Sequence, residues 1–155
     1  MRIKDVTKQG IIAALYTVIS ITLAPISFGA IQFRVAEILM PLPYYNKKNR
    51  IGITLGCLIS NLFSPMGIAD IIFGTTATFL ACTLISKLDN KRLVGIIAAL
   101  INGLVVGAEL HLILGLPLLF SCITVAVGEL IVVQIGSLIM GEMEKCTTLA
   151  QFFIS

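Results

Sequence analysis

Lysine and arginine fall in four short clusters along this chain, and between the clusters run three long stretches with almost no charge. The clusters are Arg2, Lys4 and Lys8; Lys47, Lys48 and Arg50; Lys87, Lys91 and Arg92; and Lys145, with Arg34 the one outlier. The apolar stretches cover roughly 9–45, 51–86 and 93–140. A membrane-spanning helix needs about 20 mostly apolar residues, so each stretch is too long for one crossing and suited to two. Each also breaks near its middle, at Pro25 and Gly29, at Ser64-Pro65-Met66-Gly67, and at Gly115-Leu116-Pro117. Proline and glycine fit turns better than helix interiors. The expected fold is an all-α integral membrane protein, a single domain over 1–155 with six short transmembrane helices arranged as three hairpins. Their approximate spans are 9–27, 33–45, 51–63, 67–86, 92–114 and 118–141.

Composition excludes the soluble alternative. The chain is 57% hydrophobic and 12% charged, with a mean hydropathy of +1.03, and so few charges cannot clothe a water-facing surface. With six crossings, every basic cluster falls on the same face, which the positive-inside rule makes cytoplasmic. Both termini are then cytoplasmic. The net charge of +3 records this orientation and does not point to nucleic acid. The first apolar run is followed by Arg34 and Glu37 and has no small-residue cleavage site, so it reads as a crossing and not as a leader. The four cysteines are dispersed without metal-ligand spacing and read as small packing residues.

Polar groups inside apolar helices carry the functional signal, because a charge in a span costs several kcal/mol unless it faces protein or water. The set is Gln32, Arg34, Glu37, Asn61, Asp70, Asn102, Glu109, His111, Glu129 and Gln134. Most lie near the three non-cytoplasmic turns, and Glu129 and Gln134 lie mid-span. One pocket open to the outside and floored by Glu129 accounts for the set. Asn102 and Glu109 are two helical turns apart and share a face. Arg34 and Glu37 have the i,i+3 spacing of an intrahelical pair, and Asp70 suits the positive end of its helix. Asn61 has the chemistry of a cap, and His111 sits beside a turn. Glu109 and Glu129 have no basic residue nearby in their own helices. Four carboxylates against one arginine favour a cationic or donor-rich ligand. Small-residue stripes such as Gly52, Gly56 and Ser60 fit close helix packing.

No P-loop, H-E-x-x-H, G-x-S-x-G or Cys–His arrangement is present, so neither ATP hydrolysis nor an enzyme is expected. Inverted repeats are not visible either, which speaks against a stand-alone transporter. A membrane-embedded binder that draws energy from another subunit remains.

The stretches that carry this reading also carry a resemblance. Phe28-Gly29-Ala30-Ile31-Gln32-Phe33-Arg34-Val35-Ala36-Glu37 resembles the opening signature of the QueT family, substrate-binding S components of energy-coupling factor (ECF) transporters. Leu55–Pro65, Ile68–Thr75, Asn102–Leu110 and Val127–Val132 agree with it. The resemblance covers nearly the whole chain and implies six helices and import of queuosine precursors, which are 7-deazaguanines such as preQ1 or queuine. It also implies a membrane coupling subunit and two cytoplasmic ATPases as partners, with no cofactor or metal in this chain. The location implied is the plasma membrane of a prokaryote. Many S components dock on the coupling subunit through Ala-x-x-x-Ala in the first helix. Here Gly10 and Ala14, with Ala13 and Thr17 beside them, occupy the matching region and depart from the strict motif.

A 7-deazaguanine offers N–H donors at N1 and the 2-amino group, an acceptor at O6, and a flat face. A carboxylate can accept both donors at once, a role open to Glu109 or Glu129. Asn102 or Gln32 suits O6, and Asp70 or Glu37 suits a substituent amine. Phe33, Phe63 or Phe73 is placed to stack. The expected substrate-binding set is therefore Gln32, Arg34, Glu37, Asn61, Asp70, Asn102, Glu109 and Glu129. An S component for another vitamin-like molecule, or an ATP-independent facilitator, is the rival reading.

Overall fold

The computed structural model describes residues 3–27, 33–145 and 152–153, and all regular structure among them is helical. The elements are α1 (Ile3–Thr22), α2 (Ala24–Ser27), a 3-10 helix (Val35–Leu39), α3 (Leu42–Tyr45), α4 (Asn49–Asn61), α5 (Ile68–Ile85), a 3-10 turn (Lys91–Leu93), α6 (Val94–Leu114) and α7 (Leu118–Met143). The second and third expected breaks fall where proline and glycine placed them, whereas Pro25 lies inside α2 just after a turn at Leu23 and Gly29 lies outside the described residues. Gly67, with φ 61°, precedes α5, and Gly115, with φ 68°, ends α6 in the left-handed conformation that glycine adopts without a Cβ penalty. Pro117 then sits immediately before α7.

Two boundaries differ from expectation. α1 begins at Ile3, not near residue 9, because its charged first turns remain helical: Asp5 lies at the positive end of the helix and pairs with Lys48 at 2.9 Å. The segment 33–45 is not one helix but a 3-10 helix, a turn and α3. Pro41 and Pro43 explain the difference: neither has an N–H to continue the ladder, and each ring crowds the carbonyl four residues back.

Among the described residues, three helices are long and apolar enough to cross a membrane: Ile68–Ile85, Lys91–Leu114 and Leu118–Met143. α4 has 13 residues, about 20 Å at 1.5 Å per residue, short of the ~30 Å hydrocarbon core. The polarity runs inside out. On α6, Asn102, Gly103, Val106 and Glu109 are buried while Leu100, Leu104, Leu112 and Ile113 are exposed. Such a surface fits lipid and not water.

Glycines set the helix spacing, since lipid gives helices little other reason to associate. α6 and α7 pack antiparallel. A Cβ at Gly103 would stand 2.8 Å from the Ala126 Cβ, and one at Gly107 would stand 2.6 Å from the Cys122 Cα. α1 and α4 pack parallel across Gly52 and Gly56. There the Gln9 side chain accepts a bond from the Gly52 N–H (3.0 Å) and donates to Asn49 (3.2 Å), while Thr17 donates to the Gly56 carbonyl (3.2 Å). Gly52 lies in the first turn of α4, so Gln9 satisfies one of the N–H groups left over at a helix start.

The basic clusters gather at one end of the bundle. Lys48 meets Asp5 there, the Tyr44 hydroxyl donates to the Asp89 carbonyl (3.2 Å), and a cleft is lined by Tyr44, Tyr45, Lys91, Arg92 and Glu144. The Asn61–Asp70 connection lies at the opposite ends of α4 and α5, beside the polar interior.

Candidate functional site

Asp70 is the anchor of that interior. It sits in the first turn of α5, where the helix dipole favours a carboxylate, and its Oδ1 accepts a 2.8 Å bond from Arg34 Nη2. Both side chains are buried. The Ser64 hydroxyl donates to the other Asp70 oxygen, and the Asn61 amide donates to the Asp70 backbone carbonyl (2.7 Å) and to Thr75 (3.3 Å). The Arg34 guanidinium lies directly over Gly74. A Cβ there would come within 2.9 Å of both terminal nitrogens, so a larger residue at 74 would displace the ion pair.

Glu37 forms a second centre. Its Oε1 accepts from the Tyr16 hydroxyl (2.6 Å) and from Thr78 (3.3 Å), and Thr78 also contacts the Cys57 thiol (3.3 Å). Tyr16 on α1 and Thr78 on α5 therefore hold a carboxylate carried by the 3-10 helix between them.

α6 and α7 complete the set from the other side. Glu109 lies within electrostatic reach of Asp70 and Arg34, and Glu129 within reach of Glu37, Arg34 and Asn102. Arg34 thus pairs with Asp70 and acts on Glu37, Glu109 and Glu129, and none of the four carboxylates is more than 4% exposed.

Several polar atoms of this cluster have no hydrogen-bond partner. They are Arg34 Nε, Glu37 Oε2, Asn102 Nδ2, both Glu109 oxygens and Glu129 Oε2. Elsewhere among the described residues, only the Tyr45 hydroxyl and Thr83 Oγ1 share this condition. A buried polar atom without a partner costs about 1–3 kcal/mol, more if charged, so the concentration of such atoms at one place calls for a group that supplies the missing bonds. Four of the six are carboxylate oxygens that accept, and two are nitrogens that donate.

Of the residues singled out from sequence, Arg34, Glu37, Asn61, Asp70, Asn102, Glu109 and Glu129 come together here. Gln32 lies outside the described residues. The i,i+3 pairing of Arg34 with Glu37 does not form. Arg34 precedes the 3-10 helix with ψ 87°, which takes it off the helical face of Glu37 and sends it across to α5. Exposed His111 contacts the Leu116 carbonyl through Nδ1 (2.7 Å) and serves the α6–α7 turn, while Gln134 packs against Gly95. Phe63 is exposed, whereas Phe33 and Phe73 are half-buried. Tyr16, Ser64, Gly74 and Thr78 were not singled out for the site. Tyr16 was the most accessible of them to reasoning, as a hydroxyl within an otherwise apolar stretch of α1 that needs a partner when buried.

The four first-helix positions divide between two faces. Ala13 and Thr17 turn inward against Gly56, while Gly10 and Ala14 are exposed, and a Cβ at Gly10 would meet nothing within 4 Å. Among the described residues no group of His, Cys, Asp and Glu is arranged to hold a metal ion.

The sequence profile of the QueT transporter family matches residues 6–145. The chain belongs to the QueT family. A relative from Lactococcus lactis subsp. cremoris (strain MG1363), described as "Queuosine precursor transporter QueT", is 32% identical over 95% of this chain and 96% of its own length. No solved structure matches the chain. QueT proteins are transporters and not enzymes.

Proposed function

We propose that this chain is the substrate-binding S component of an ECF-type ABC importer for queuosine precursors, and that the cluster around Arg34 is its ligand site. The observation that carries the reading is the set of six unpartnered buried atoms. A 7-deazaguanine supplies donors at N1, the 2-amino group and N9 for the carboxylate oxygens. It also supplies acceptors at O6 and N3 for Arg34 Nε and Asn102 Nδ2. Burial of these groups away from water makes each such bond count for more, and a ligand lacking the donors would leave the carboxylates unsatisfied.

In this reading the chain crosses the membrane six times, with α1, the 33–45 region, α4, α5, α6 and α7 as the crossings. The shared basic end faces the cytoplasm. Locally thinned bilayer accommodates the short α4. The exposed Gly10–Ala14 face of α1 meets the membrane coupling subunit, and two cytoplasmic ATPases hydrolyse the ATP, so this chain holds no cofactor. The cell membrane of a prokaryote is its location.

Uptake into proteoliposomes tests the proposal. Vesicles with this chain, the coupling subunit and the ATPases should accumulate labelled preQ1 only when ATP is present, and vesicles with this chain alone should not. Equal ATP-independent uptake by the chain alone would replace the proposal with a facilitator, and accumulation of a vitamin in place of preQ1 would replace the substrate.

A further inference from the structure

The unpartnered atoms are not equivalent, and their differences orient a ligand. Both Glu109 oxygens lack a donor, with the Asp70 carboxylate as their neighbour, whereas Glu37 and Glu129 each present one buried oxygen without a donor. One carboxylate with two free oxygens matches two parallel N–H donors. Two carboxylates from different elements, each offering one oxygen, instead match a tetrahedral cation that donates in several directions. Charge separates the two ends in the same way. Near Glu109 the neighbouring carboxylate, Asp70, is already bonded to Arg34. At the other end Glu37 and Glu129 act on each other, Arg34 acts on both without bonding either, and the groups bonded to Glu37, Tyr16 and Thr78, are neutral hydroxyls.

From this geometry we infer that Glu37 and Glu129 form the seat for a primary ammonium carried by the substrate, while Glu109 reads the N1–H and 2-amino donors of its base. The inference rests on the function proposed above and assigns direction within that site. Asn102 supplies an independent link. It is 1% exposed, lies on the same face of α6 as Glu109, reaches Glu129, and its Nδ2 makes no hydrogen bond of ordinary geometry. Seven residues of helix separate it from Glu109, about 10 Å along the axis. Around a 7-substituted 7-deazaguanine the groups run in the order 2-amino, N1–H, O6 and 7-substituent. With Glu109 at the first two and the acidic pair at the last, the free Asn102 amide falls at O6. Tyr16 and Thr78 are positioning residues, since they hold Glu37 Oε1 and leave Oε2 turned to the ligand.

Binding of 7-aminomethyl-7-deazaguanine (preQ1) and its neutral 7-cyano counterpart (preQ0) to the purified full chain tests this. Wild type should bind preQ1 about tenfold or more tightly than preQ0. Glu129→Gln should lower preQ1 affinity on the order of 30-fold while moving preQ0 by less than about threefold, and Glu109→Gln should weaken both ligands. Equal wild-type affinities, or a Glu129→Gln variant that weakens both ligands alike, would overturn the ammonium seat while leaving the transport reading intact. Failure of wild type to bind any 7-deazaguanine would overturn both. The wild-type ratio decides the matter even if a variant does not fold.

Discussion

Breaking the Arg34–Asp70 pair offers a quantitative handle on the polar interior. Asp70→Asn keeps the side-chain size and leaves Ser64 a partner, but removes the charge that faces Arg34 at 2.8 Å. Losing one partner of a buried ion pair costs about 3–5 kcal/mol. Glu37 and Glu109 still act on the guanidinium, which argues for the lower end, about 3 kcal/mol. Arg34→Met should cost a similar amount, because it strands Asp70 with only the Ser64 hydroxyl. The double variant removes both charges together and should cost about 2–3 kcal/mol less than the sum of the two single changes. Equilibrium unfolding in detergent micelles for the four proteins of this cycle measures that difference. An interaction energy below about 0.5 kcal/mol would show that the pair does not organise the site, and the reasoning would fail.

Three further outcomes follow from the packing. Gly107→Ala places a Cβ against the Cys122 backbone and should cost about 1–3 kcal/mol in the same unfolding assay, whereas Gly10→Ala meets open space and should be neutral or stabilising by up to about 1 kcal/mol. Ala14→Trp, on the exposed face of α1, should leave preQ1 binding unchanged but reduce ATP-driven uptake by about tenfold or more; normal uptake would remove that face from the docking proposal. Tyr16→Phe deletes the 2.6 Å bond to Glu37 and should destabilise the fold by about 1–3 kcal/mol, with no loss in melting temperature as the contrary result.

The sequence made the membership of the polar cluster legible better than its wiring. Glu109 and Glu129 stand out because a carboxylate in an apolar helix needs a reason, and the seven-residue spacing of Asn102 and Glu109 puts them on one face. Arg34 shows where local reasoning stops. Its nearest opposite charge in sequence is Glu37, yet a single non-helical residue conformation ahead of the 3-10 helix redirects it to Asp70, a choice that spacing rules do not encode. Pro41 and Pro43 argue against one helix over 33–45, a signal that the apolar run around them masks. Ala13 and Gly10 are alike in size, so composition could not say which faces α4 and which faces outward. Their positions around the helix relative to Gly56 decide it.

A structure of the chain bound to preQ1 tests the central claim most directly. The account predicts the ligand enclosed by Arg34, Glu109, Asn102 and Glu129, with its donors on the carboxylate oxygens that have no partner in the free protein. Ligand bound elsewhere, for instance in the cleft beside Tyr44, Lys91 and Arg92, with those oxygens still unpaired, would contradict it.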